Sequence, residues 1–166
     1  MATATQAPPS DAEAFLLRAV EVGRAGMLAR RGGPFGAIVV GPDGRIVGEG
    51  CNQVTSTNDP TAHAEVSAIR AACAALGTFL LEGCRLYTSC EPCPMCLAAA
   101  YWARVDEIVY GATREDAAVG GFDDAFIYDE IGLAPGSRSI AMRRVAQEPA
   151  AALFREWLEL EGRTPY

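Results

Sequence analysis

The sequence contains a single histidine and no lysine, so all fourteen of its cationic side chains are arginine, against twenty-one acidic ones and a formal charge of -7. No short window gathers more than two or three arginines. A phosphate backbone therefore meets net repulsion, which excludes nucleic acid as the expected partner unless folding collects distant arginines into one patch. Half of the residues are hydrophobic, yet no run approaches the roughly 18 to 20 apolar residues that cross a bilayer, so no membrane partner is expected. The first residues, MATATQAPPSDAEAF, lack the basic start and apolar centre of a secretory signal, and the cytoplasm is the expected compartment. In that setting the six cysteines, Cys51, Cys73, Cys84, Cys90, Cys93 and Cys96, are expected as thiols or metal ligands and not as disulfides. Residues 1–9, with Pro8 and Pro9, read as a flexible arm. A small neutral substrate suits this charge balance.

What the chain does have is a segmented hydrophobic pattern. Ser10 and Glu13 form a capping box, and Phe15, Leu16, Ala19, Val20 and Gly23 come next at helical spacing, which predicts a helix over about 11–30. GGPFGAIVV, the turn GPDG and RIVGEG predict a hairpin. After a polar loop, QVTSTNDPT, the positions Val66, Ile69, Cys73 and Leu76 line one side of a helix that Gly77 can end. RLYTS, PMCLAAAYWA and DEIVYGA read as strand, buried helix and strand, a parallel crossover. An acidic, glycine-punctuated stretch leads to a turn at APGSRS, a last strand expected at IAMRRVA, and a closing helix from near Pro149 with Phe154, Trp157 and Leu158 on one stripe. The expected fold class is α/β, a three-layer α/β/α sandwich with a mixed sheet of about five strands, in a single domain over 1–166.

His63 stands two residues before Glu65 in PTAHAEVSAIR. Helix positions two apart point about 200° away from each other, so the pair can serve one site only at the helix start, where side chains tilt toward the N-terminus. Cys93 and Cys96, in SCEPCPMCLAAAYWA, have the spacing of thiolate ligands, and Pro94 between them suits a helix start. Both helices then aim their positive ends at one point, which favours thiolate over thiol. One nitrogen and two sulfurs match zinc and leave a fourth position for water, with Glu65 as the carboxylate that moves the proton. Two rival readings use the other cysteines. Cys90, Cys93 and Cys96 spell C-x-x-C-x-x-C, part of an iron–sulfur ligand set, but no suitably spaced cysteine followed by proline comes after Cys96. A closed structural zinc site would draw a fourth ligand such as Cys51 or Cys90 and would not require Glu65. The glycines of GGPFGA lack phosphate-loop spacing and read as close packing or substrate approach.

H-x-E and, about 30 residues later, P-C-x-x-C, each opening a predicted helix, form the signature of zinc nucleobase deaminases. From about residue 11 to the end the chain resembles the cytidine deaminase-like superfamily and, within it, the small bacterial guanine deaminases. The stretches that carry the resemblance are GGPFGA, TNDPTAHAEVSAIR, LYTSCEPCPMC, YWAR and GFDDAFIYDEI. It implies one zinc ion per subunit on His63, Cys93 and Cys96, and hydrolysis of guanine to xanthine and ammonia. Guanosine, cytosine, adenine or an amino-triazine are the alternative substrates. It also implies that Asn52 hydrogen-bonds the base, that Phe35 packs on its ring, and that Asp124 assists proton transfer to the leaving amine. Composition alone leaves Asp123 an equal candidate. The resemblance further implies a homodimer in which a C-terminal lid near 150–166 is exchanged, bringing Trp102 and Tyr166 to the partner's pocket. The closing EGRTPY shares little with that family beyond its tyrosine.

Overall fold

A computed structural model describes residues 11–165. The arm expected at 1–9, the cap residue Ser10 and Tyr166 lie outside the described residues. Residues up to Phe126 and those from Ile127 onward form two compact units.

The first unit begins with α1 (Asp11–Leu28), then β1 (Gly36–Val40) and β2 (Ile46–Cys51). These strands form the expected hairpin, closed where the Gly44 N–H donates to the Gly41 carbonyl over 3.0 Å with Gly44 at a φ of 78°. That left-handed conformation suits a residue without a Cβ. Then come α2 (Val54–Thr57), α3 (Ala64–Leu76), β3 (Arg85–Cys90), α4 (Pro94–Ala103), β4 (Glu107–Ala112) and α5 (Arg114–Val119). The stretch expected as a loop, QVTSTNDPT, thus holds one helical turn, which ends at Asn58 in the left-handed region. Helix α6 (Ala125–Gly132) spans the junction between the units, and α7 (Gln147–Glu159) belongs to the second.

The sheet runs β2-β1-β3-β4, with β1 antiparallel to both neighbours and β3 parallel to β4. It is mixed, but it has four strands and not about five. The expected last strand, IAMRRVA, forms no ladder. A strand exists only as one side of a hydrogen-bonded pair, and the unit from Ile127 onward offers no second strand among its described residues. None of the described residues in that unit is buried.

β1 is buried at every position, and its side chains alternate between two cores. Ala37 and Val39 join Leu86, Ala68, Ile69 and Ala100 on one face; Ile38 and Val40 join Tyr87 and Ala19 on the other. Helices α3 and α4 therefore cover one face and α1 the other, the layering expected when a sheet is apolar on both sides. The seat of α3 is backbone against backbone. A Cβ added to Gly48 would come within 2.5 Å of the Ala68 carbonyl oxygen, and one added to Gly50 within 2.4 Å of that of Ala64. Ala64, Ala68 and Ala72, four residues apart, present the small face that accepts this approach. Gly50→Ala is expected to push α3 off the sheet and to lower unfolding free energy by about 2 kcal/mol in urea titrations; an unchanged urea midpoint would contradict this seating.

Candidate active site

His63 and Cys93 occupy equivalent places in two helices. Each is the N-cap residue, of α3 and α4 respectively, with extended backbone at φ -71°, ψ 159° and φ -62°, ψ 167°. Their carbonyls accept the first helical bonds, from Ser67 N–H at 3.0 Å and Leu97 N–H at 2.9 Å. Ser, Thr, Asp or Asn usually holds this position and caps the helix with its side chain. Neither His63 nor Cys93 does so, which leaves the imidazole and the thiol to meet one another. His63 Nδ1 lies 3.6 Å from Cys93 Sγ and 3.4 Å from Cys96 Sγ, and the three donor atoms all fall within 4.8 Å of one another.

This donor set fits zinc. In a tetrahedral shell with sulfur at about 2.3 Å and nitrogen at about 2.0 Å, the nitrogen–sulfur edges come to roughly 3.5 Å, which the two observed edges bracket. No fourth cysteine joins the group among the described residues. Cys90 Sγ donates to the Thr113 carbonyl at 3.5 Å, and Cys51 lies against Gly26. Three protein donors with one position open is the arrangement of catalytic zinc sites, whereas structural sites are closed by four.

The electrostatics agree with metal binding. Hydrogen bonds from Cys96 and, against the penalty of burial, from His63 hold the Cys93 thiol at about 4. The same hydrogen bond pushes Cys96 up, and burial adds to it. Cys93 is thus the sulfur driven toward thiolate, the form in which a thiol binds a dication. The bond to Cys93 also raises the pKa of His63. Glu65 is only 5% exposed, and burial lifts its carboxyl above the usual carboxylate range, in the direction a proton carrier at neutral pH requires.

His63, Glu65 and Cys93 line a cavity of about 310 Å³, within the range of small-ligand sites. Asn52 is buried there, and its Oδ1 accepts from the Gly33 and Val54 N–H groups, each at 3.2 Å. That fixes the amide and turns its NH₂ into the group left to donate. The Phe35 ring meets Phe122 edge-on, with centroids 4.9 Å apart and planes at 86°. Asp123 and Asp124 both line the cavity. One Asp123 oxygen accepts from the Ala125 N–H at 2.9 Å, at the start of α6, whereas the Asp124 carboxyl is raised by burial and then by the nearby Cys93 sulfur. Trp102 lies on the exposed side of α4 and does not line the cavity. Glu91, Arg114, Thr55 and Phe122 do line it, although sequence reasoning singled out none of them. Glu91 and Phe122 sit inside recognisable motifs, beside Cys93 and Asp124; Thr55 and Arg114 carry no local signal.

Residues 9–112 match the cytidine and deoxycytidylate deaminase zinc-binding region, and the chain belongs to that family. It is 51% identical over 154 residues to a guanine deaminase of Bacillus subtilis, covering 93% of this chain and 98% of that one. The crystal structure of a guanine deaminase from Bacillus subtilis superposes with a TM-score of 0.89 at the same coverage. A guanine deaminase from Nitrosomonas europaea aligns at 28% identity with a TM-score of 0.65, over 93% of this chain and 88% of its own. The tRNA-specific adenosine deaminase of Aquifex aeolicus is 44% identical, over 58% of this chain and 63% of its own.

Cys96→Ser replaces a thiolate by a hydroxyl that zinc binds far less well. Dialysed protein is expected to retain about one zinc ion per chain, and the variant less than about a tenth of that by atomic emission. A variant that holds zinc as its parent does would remove Cys96 from the ligand set.

Proposed function

We propose that this chain hydrolyses guanine to xanthine and ammonia with one zinc ion per subunit. The observation that carries the reading is an open imidazole–thiolate–thiolate group with a buried carboxyl two residues from the imidazole, in a cavity lined by an aromatic ring and a fixed amide. Guanine is favoured over other amino-heterocycles because the likeness to the Bacillus subtilis guanine deaminase spans nearly all of both chains, whereas the Aquifex aeolicus tRNA deaminase matches over little more than half of this one. The net charge of -7 also favours a small neutral substrate over nucleic acid.

His63, Cys93 and Cys96 would hold the zinc ion, which would supply the nucleophile by acidifying water. Glu65 takes the proton that is released and delivers it to the ring nitrogen beside the carbon that bears the amine. Its burial favours the neutral carboxyl, so the proton is retained between the two transfers. The Asn52 amide donates to the base, and Phe35, braced at right angles by Phe122, covers the flat ring. Asp124 passes a proton to the departing amine. The Ala125 N–H on Asp123 supports Asp124 for this role, because Asp123 is committed to starting α6. One water is consumed, the carbon–nitrogen bond breaks, and ammonia leaves.

The same reading has the chain working as one deaminase domain in a cytoplasmic homodimer, with the segment near 150–166 closing the partner's pocket. Trp102 and, from that segment, Tyr166 are the residues the chain would contribute to the partner's pocket. In support, Leu153, Phe154 and Leu158 form an exposed apolar stripe on α7 that calls for a cover. Among the described residues no helix is long and apolar enough to cross a membrane.

Glu65→Gln is expected to keep zinc and to lower guanine turnover about a thousand-fold, measured as ammonia release with guanosine, cytosine and adenine as controls. Zinc retained with turnover intact would refute the role of Glu65. Light scattering is expected to give the mass of a dimer, and removing residues 150–166 to lower turnover while zinc content holds. A fully active truncated enzyme would eliminate the lid.

A further inference from the structure

Three consecutive hydrogen bonds tie the turn that carries Cys93 to the segment that leads to Asp124. The Glu91 N–H donates to the Ala112 carbonyl at 2.8 Å, Cys90 Sγ donates to the Thr113 carbonyl at 3.5 Å, and the Arg114 N–H donates to a Glu91 carboxylate oxygen at 3.3 Å. The first is a consequence of the parallel register of β3 and β4, in which Cys90 pairs with Ala112. The last is not, because it uses a side chain to hold the first amide of α5.

That amide has no partner within its own helix, since the first four N–H groups of any helix lack one. Thr113 and Asp116 form a capping box: the Asp116 N–H donates to Thr113 Oγ1 at 3.3 Å, and the Thr113 N–H donates to the Asp116 carboxylate at 2.9 Å. The box satisfies the third amide of α5 and leaves the first, which Glu91 takes. Helix α5 is six residues long and buries none of them, so core packing does not fix its place and its end contacts must. Helix α5 lines the cavity through Arg114 and Ala117, and beyond it the chain continues along the wall at Phe122, Asp123 and Asp124. The Phe122 N–H donates back to the Ala117 carbonyl at 3.0 Å, so a displacement of α5 is passed to Phe122 and, two residues on, to Asp124.

We infer that Glu91 is a positioning residue for the deamination, whose carboxylate sets α5, and through it Asp124, relative to Cys93. The inference rests on the guanine deaminase reading and on the role given there to Asp124. Glu91 acts by accepting a hydrogen bond, so glutamine, with an oxygen at the same reach, substitutes for it and alanine does not.

The test compares Glu91→Ala, Glu91→Gln, Asp124→Asn and the double variant Glu91→Ala/Asp124→Asn, all zinc-loaded. The readouts are kcat on guanine, zinc content and hydrogen exchange of the α5 amides. Glu91→Ala is expected to lower kcat about ten-fold, the size of effect that a small misplacement of a reacting group produces, with zinc content unchanged and faster exchange at Arg114. Glu91→Gln is expected to restore both kcat and protection. In the Asp124→Asn background Glu91→Ala is expected to cost less than about two-fold, because both changes act on one step. Glu91→Gln behaving like Glu91→Ala, losses that multiply in the double variant, or zinc lost along with kcat would each overturn the positioning role. Parental kcat in Asp124→Asn would overturn the role of Asp124 and this route with it. A parent protein inactive on guanine would overturn the functional reading, while the exchange rates would still report whether Glu91 holds α5.

Discussion

The site exists because two helix N-termini meet at one point. His63 and Cys93 each stand where a polar cap would ordinarily satisfy helix amides, and each turns its side chain to the other helix instead. Two distant features of the fold make the meeting possible. Helix α3 sits directly on β2 because glycine faces alanine along the contact, and α4 is delivered by the parallel crossover from β3 to β4. Larger residues at Gly48 or Gly50 would lift the imidazole away from the sulfurs. The ligand geometry is therefore a property of the sheet packing as much as of the ligands.

The meeting place is chemically demanding. A thiol pair and a carboxyl are gathered inside an acidic chain, and burial opposes charge on each of them. The positive ends of α3 and α4 offset part of that cost and favour thiolate. A dication would offset more, since both sulfurs would bind it as thiolates and release their protons. Glu65 is not among the grouped donors and is lifted by burial, which separates its work from that of the ligands: sulfur and imidazole would hold the ion, and the carboxyl would handle protons. Asp124 lines the same cavity, on a segment whose position depends on hydrogen bonds to the Glu91 carboxylate and from the Cys90 thiol more than on a core.

Local features were legible in the sequence. The spacings His63–Glu65 and Cys93–Cys96, Pro94 after a ligand, and Gly77 after an apolar stripe all act within a turn of helix, and the structure forms the helices they predict. Features set by partners distant along the chain were not. The apolar residues of IAMRRVA suggest an extended segment but cannot say whether a sheet edge is available to it. The turn α2 in QVTSTNDPT is also held from a distance by the Arg31 carbonyl, which accepts from the Ser56 N–H at 3.2 Å. Asp123 and Asp124 are alike in sequence and differ in burial and in which of them the Ala125 N–H engages. Glu91 and Arg114, 23 residues apart, meet just beyond the ends of two paired strands, a relation that no local pattern encodes.

X-ray absorption at the zinc edge of the purified protein tests the central claim most directly. Three protein donors with one open position predict two sulfurs at about 2.3 Å and two lighter atoms at about 2.0 Å, one of them the nitrogen of His63. A shell of three or four sulfurs, or protein that binds no zinc, would contradict it.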